Sequence, residues 1–121
     1  MLFRSYQLSE KIVNDVNEYS TKYIGEEGKF VNTSDSIELL NCIIEEGFTL
    51  HKYMCEKELY VGKPRIQKAL LEVQKYIEKL AVTEENAKKL NISNALQIWE
   101  QARIAIAFLA CEILDFRDML N

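Results

Sequence analysis

Proline occurs once in this chain of 121 residues, glycine four times, and histidine and tryptophan once each. So few turn formers exclude an all-β chain, which needs many tight turns, and a Pro/Gly-rich disordered one. A single imidazole removes most acid–base and metal chemistry that rests on paired histidines. The three cysteines, Cys42, Cys55 and Cys111, are an odd number without a CxxC pair. They read as reduced, mostly buried thiols. The longest uninterrupted apolar run, Ile104 to Cys111, is far too short to cross a bilayer, which takes about 20 residues. Met1-Leu2-Phe3-Arg4-Ser5 carries neither the apolar core nor the small-residue cleavage site of a secretory signal. A cytoplasmic protein with no membrane contact is the expectation. Asn32-Thr33-Ser34 and Asn91-Ile92-Ser93 match a glycosylation sequon that is idle without secretion.

What is present is helical periodicity over most of the chain. With 48% hydrophobic and 28% charged residues, the length suits one domain with its own core, and 1–121 is read as a single helical bundle. Leu8, Ile12, Val16, Tyr19 and Tyr23 form one face of a first helix, about Ser5 to Ile24, with Gly25 as its stop. A second helix is expected from Asp35, capped by that side chain with Glu38 reaching back, to about Tyr60. Its apolar arc (Ile37, Leu40, Ile43, Ile44, Phe48, His51, Met54, Cys55) is wide enough for two or more neighbours. Gly47 lies on that arc, where a close helix crossing explains its cost of about 1 kcal/mol relative to alanine. Gly62-Lys63-Pro64 marks a break. A third helix, about Lys63 to Val82, turns Ile66, Ala69, Leu70, Val73, Ile77 and Leu80 inward. Thr83-Glu84-Glu85 reads as the start of a short extra helix to about Asn91, after which Ser93 caps a long last helix. The expected fold is an all-α, antiparallel four-helix bundle, with the short helix between the third and fourth long ones.

The last helix carries the strongest functional hint. Ile98, Ala102, Ala105, Ile106, Leu109, Ile113, Phe116 and Leu120 form its apolar stripe; Gln97, Glu100, Gln101, Glu112, Asp115 and Asp118 form the opposite side. Ile104, Phe108 and Cys111 fall on that polar side, where a monomeric bundle has no use for them. They point to a protein partner or to self-association. Arg103, between the patch and Trp99, reads either as a snorkelling edge residue or as an interface arginine stacked on that tryptophan.

Charge adds a second, weaker hint. The net charge is −4, but Gly25–Gly62 holds three basic and eight acidic residues, whereas Lys63–Asn91 holds seven basic and four acidic. The two segments can dock on each other inside the bundle. Alternatively, a basic strip (Lys68, Lys75, Lys79) and an acidic strip (Glu38, Glu45, Glu56) serve different partners, the basic one contacting nucleic acid in a nucleoprotein assembly.

Catalytic constellations are sparse. His51 and Cys55 share a helix face as a zinc half-site would, but no second ligand pair completes it, and no metal or cofactor is expected. Glu45-Glu46 loosely resembles the acidic helix pair of all-α nucleotide pyrophosphatases, which implies a small Mg²⁺-dependent nucleotide hydrolase; the matching Glu-x-x-Asp on the next helix is absent. No nucleophile elbow or phosphate-binding glycine loop occurs. In size the chain is similar to bacterial immunity proteins, and in element order to the accessory bundles of diversity-generating retroelements, which are basic where this chain is acidic. The leading expectation is a non-enzymatic protein-binding module, an inhibitor, immunity factor, adaptor or regulatory subunit, whose composition suits a bacterial or phage origin.

Overall fold

The computed structural model describes residues 2–24, 33–85 and 92–120, which form four α-helices and no strand. These are α1 (Leu2–Tyr23), α2 (Ser34–Glu56), α3 (Pro64–Glu85) and α4 (Ile92–Leu120). Consecutive helices pack side by side, α4 returns against α1, and α2 also touches α4 across the middle. The antiparallel bundle is therefore flattened, with α2 and α4 on its short diagonal. None of the helices is long and apolar enough to cross a membrane.

The anticipated α1 face is the one that packs: Ile12 and Tyr19 are buried, while Leu8, Val16 and Tyr23 are half-buried against the core. Ser5 and Ser9, also fully buried, add a small-residue edge. Gly25, the expected stop, lies outside the described residues.

Both ends of α2 differ from expectation. Its N-cap is Thr33, whose hydroxyl accepts from the Ser36 amide at 3.2 Å, while the Ser36 hydroxyl accepts from the Thr33 amide at 2.9 Å. Two short hydroxyls thus close the capping box expected of Asp35 and Glu38, and Asp35 sits in the first turn, where it complements the helix dipole. The helix stops at Glu56, short of Tyr60. There the Glu58 amide donates to the Cys55 carbonyl at 3.2 Å and the Leu59 amide to the Met54 carbonyl at 3.0 Å. This is the Schellman pattern, and it puts Glu58 at φ 52, a conformation usually left to glycine.

Between those ends, α2 buries Leu40, Ile43, Ile44, Gly47, Leu50, His51 and Met54 against three neighbours. Gly47 meets the anticipated close crossing. A Cβ there would lie 2.5 Å from Cγ1, Cγ2 and Cδ1 of the fully buried Ile106 on α4. The short diagonal depends on that missing methyl.

Pro64 occupies the first position of α3, where its lost N–H costs nothing. The helix runs through Glu85, so Thr83-Glu84-Glu85 extends α3 and opens no new one. Nothing in Ala81–Glu85 breaks a helix: the stretch has no glycine or proline. The rest of the expected short helix lies outside the described residues. α4 begins at Ile92, one residue ahead of the expected cap, Ser93.

Candidate functional site

Three helices pack on α4, and this decides which of its residues remain accessible. Ala102, Ile106, Leu109, Ala110 and Ile113 are buried as an apolar stripe should be. Glu100, Arg103 and Glu112 are buried too, at 9%, 9% and 6% exposure. The expectation that Glu100 and Glu112 face water is therefore overturned: contacts on both flanks of α4 narrow its outer face to a single ribbon. That ribbon consists of Gln97, Gln101, Ile104, Phe108, Cys111, Asp115, Asp118 and Met119.

Ile104 and Phe108 stand in the middle of the ribbon with 61% and 51% of their surface exposed. Beside them a groove of about 300 Å³ runs between α3 and α4, lined by Glu72, Tyr76, Gln101, Ile104, Ala105 and Phe108. Tyr76, Ala105 and Gln101 were not among the site residues expected from sequence. Only the pairing of α3 with α4 brings Tyr76 to the patch. Cys111, one turn on, is an exposed free thiol, as is each of the other two cysteines. This corrects the expectation of buried thiols: Cys42, Cys55 and Cys111 all fall on the outer edges of their helices. Partial desolvation, aided by Asp115 and Glu112, holds the Cys111 pKa above its ordinary value, which disfavours the reactive thiolate.

Arg103 does not join the patch as an exposed interface arginine. Its guanidinium lies 5.2 Å from the centre of the Tyr19 ring on α1, and its Nε donates to Glu100 Oε2 at 3.2 Å. The Tyr19 hydroxyl donates to the other oxygen of the same carboxylate. Burial first, then the bond to Glu100 and that residue's charge, push the Tyr19 pKa well above its ordinary value, against a lowering by Arg103. The stacking partner expected for Arg103, Trp99, is half-buried and packed on the core. A cavity of about 450 Å³ opens over the triad between α1, α2 and α4, with Leu40, Leu96 and Ile104 among its walls. Because both oxygens of Glu100 are satisfied from within the bundle, the triad is a compensated internal network. Its evident work is to fix α4 against α1.

Lys68, Lys75 and Lys79 lie exposed on α3. They form a bank beside the groove, with Glu72 in their midst. Lys75 Nζ donates to Glu72 at 2.8 Å and Lys79 Nζ sits 5.1 Å from the centre of the Tyr76 ring. The α3 residues that border Phe108 are Glu72 and Tyr76, and two acidic residues of α4 expected on its outer side, Glu100 and Glu112, are turned inward.

The residues weighed for metal or catalytic chemistry, Glu45, Glu46, His51 and Cys55, all lie on α2. His51 is buried at 8% exposure; desolvation lowers its pKa, opposed by a hydrogen bond to the Leu70 backbone. Cys55 Sγ lies 3.8 Å from His51 Nε2, a weak contact between an exposed thiol and a core imidazole. Glu45 and Glu46 have different surroundings. Glu45 is exposed, whereas Glu46 is half-buried and takes Lys11 Nζ at 2.7 Å. Its other oxygen is buried without a partner. Burial above all, with Asp15 close by, raises the Glu46 pKa against the pull of Lys11. Among the described residues, no three His, Cys, Asp or Glu side chains converge as a metal site requires.

Compared with family models, with curated proteins and with solved structures, the chain matches none.

Proposed function

We propose that the protein acts by protein–protein binding, with the outer ribbon of α4 as its binding face and Phe108 as the anchor. The carrying observation is the exposure of Ile104 and Phe108 at the centre of that ribbon, beside an apolar groove. Covering both side chains contributes on the order of 2–4 kcal/mol, enough to anchor an interface whose rim is polar. An inhibitor, immunity factor, adaptor or regulatory subunit in the cytoplasm of a bacterium or its phage fits this mode of action.

The exposed lysine bank favours a second reading, a protein subunit of a nucleoprotein assembly in which Lys68, Lys75 and Lys79 contact phosphate. Glu72 within the bank works against it, since a carboxylate repels the phosphates its neighbours would attract.

The test is capture of the tagged protein from its host, wild type against Phe108→Asp, with and without nuclease. A stoichiometric protein retained after nuclease and lost from the folded variant is the expected result. Association that survives Phe108→Asp but disappears with nuclease supports the second reading. If neither treatment changes what is bound, the ribbon is not the binding face.

A further inference from the structure

The geometry points to a small-molecule site: the cavity over Arg103 takes an amphipathic monocarboxylate, its carboxylate on the guanidinium and its apolar body between α2 and α4. Phe108 is not among the walls of that cavity, so the inference stands independently of the ribbon as a protein-binding face.

The network around Glu100 closes on the carboxylate but not on the arginine. Both Glu100 oxygens are taken, one by the Tyr19 hydroxyl and one by Arg103 Nε. Of the five N–H donors of Arg103, only the one on Nε has a protein acceptor among the described residues. The other four are carried by Nη1 and Nη2 of a residue that is 9% exposed. Donors buried so far without an acceptor are costly. Arg103 lines the cavity, and the cavity is where an acceptor for them can enter.

The rest of the cavity suits an apolar body. Its walls include Ile37 and Leu40 from α2, and Leu96 and Ile104 from α4. Ser36, also a wall, already spends its hydroxyl on the Thr33 carbonyl at 2.8 Å. The side chains of Gln97 and Gln101 belong to exposed residues and leave polar groups at the mouth. A volume of about 450 Å³ falls within the range of about 300–1,000 Å³ usual for small-molecule sites, which pair apolar walls with a few convergent polar groups.

Charge and shape narrow the occupant. A cationic ligand finds no acceptor in Glu100, whose oxygens are both occupied. A phosphate dianion brings two charges to a floor where Glu100 already offsets Arg103, and it leaves the aliphatic walls bare. Water satisfies the donors but does not cover those walls either. An alcohol offers a single oxygen to two Nη groups. A carboxylate presents two coplanar oxygens, which match the Nη1–Nη2 edge of the guanidinium fork. A hydrocarbon chain behind it covers Ile37, Leu40 and Leu96.

Calorimetric titration of the full chain with octanoate at neutral pH tests the proposal, with octan-1-ol as the uncharged counterpart. Circular dichroism confirms that each variant is folded. One octanoate per chain is expected, bound at least about 10-fold more tightly than octan-1-ol, and octanoate should raise Tm with concentration. Arg103→Met with Glu100→Leu makes the floor apolar and should abolish the preference for the carboxylate. Ile37→Trp fills the cavity while leaving Arg103 in place, and should lose octanoate; it decides alone if the paired variant does not fold. The proposal is overturned by a wild type that shows no saturable binding, or that binds octan-1-ol as tightly as octanoate. Octanoate binding that survives Ile37→Trp, or keeps its preference in the paired variant, overturns it equally.

Discussion

Gly47→Ala should destabilise the bundle although alanine is the better helix former. In an unpacked helix the substitution gains about 1 kcal/mol. Here the new Cβ arrives 2.5 Å from three carbons of the Ile106 side chain, about 1.3 Å inside ordinary van der Waals separation. Two of those carbons, Cγ1 and Cγ2, branch from the same Cβ, so no rotation about χ1 clears both. Ile106 has no solvent to swing into, being 0% exposed. Relief therefore requires α2 and α4 to separate, at an overpacking cost of about 1–3 kcal/mol. Net of the propensity gain, a loss of up to about 2 kcal/mol is expected, or up to roughly 10 °C in Tm for a domain of this size. Thermal and urea unfolding followed at 222 nm measures it. Combination with Ile106→Ala gives an internal control. Alone, that change costs about 2–5 kcal/mol through its cavity. With the Gly47→Ala methyl occupying part of the space, the double variant should be at least about 1 kcal/mol more stable than the sum of the singles. A Gly47→Ala protein more stable than wild type by the full propensity gain of about 1 kcal/mol would refute the close crossing and with it the flattened arrangement.

Two further predictions concern buried polar groups. Arg103→Ala should cost about 2–4 kcal/mol, below the loss for a fully buried pair because each side chain keeps 11% of its exposure; it strands Glu100 beside Tyr19. The paired change Arg103→Met with Glu100→Leu should be milder than the single, and urea unfolding in which Arg103→Ala matches wild type would contradict the network. His51, whose pKa is lowered from 6.5 by burial, contributes no pH dependence while both folded and unfolded states are neutral. Below that value the unfolded chain binds the proton first, so stability should fall as pH drops from 6.5 toward the folded pKa. His51→Gln should flatten that part of a Tm-against-pH curve, and curves that run parallel down to about pH 5 would show that the imidazole is not held neutral.

Much of this architecture is legible in the sequence, for a local reason. A helix repeats every 3.6 residues, so the faces carrying Ile12 and Tyr19, or Ile66 and Val73, can be read without knowing what they touch. Gly47 is similarly legible, because glycine in mid-helix on an apolar face calls for a near neighbour. The exposed positions of Ile104 and Phe108 follow from the same period.

Helix ends and polar burial were decided elsewhere. The Thr33–Ser36 box and the left-handed Glu58 each depend on a competition among adjacent capping residues that propensity does not rank. Glu100, Glu112 and Arg103 resemble surface residues in any one-helix reading, because periodicity assigns a residue to a side but not to a partner. Tertiary structure put α1 and α3 on the two flanks of α4, with Tyr19 against Glu100 and Arg65 against Glu112 at 3.0 Å. The same packing carried Tyr76 to Phe108 and thinned a broad polar face to one ribbon. The sequence by itself determined which residues repeat on one side of each helix, and thereby a bundle with an unpaired apolar patch. Which charges that bundle buries, and what borders the patch, depended on helices distant in the chain, and only their packing could decide it.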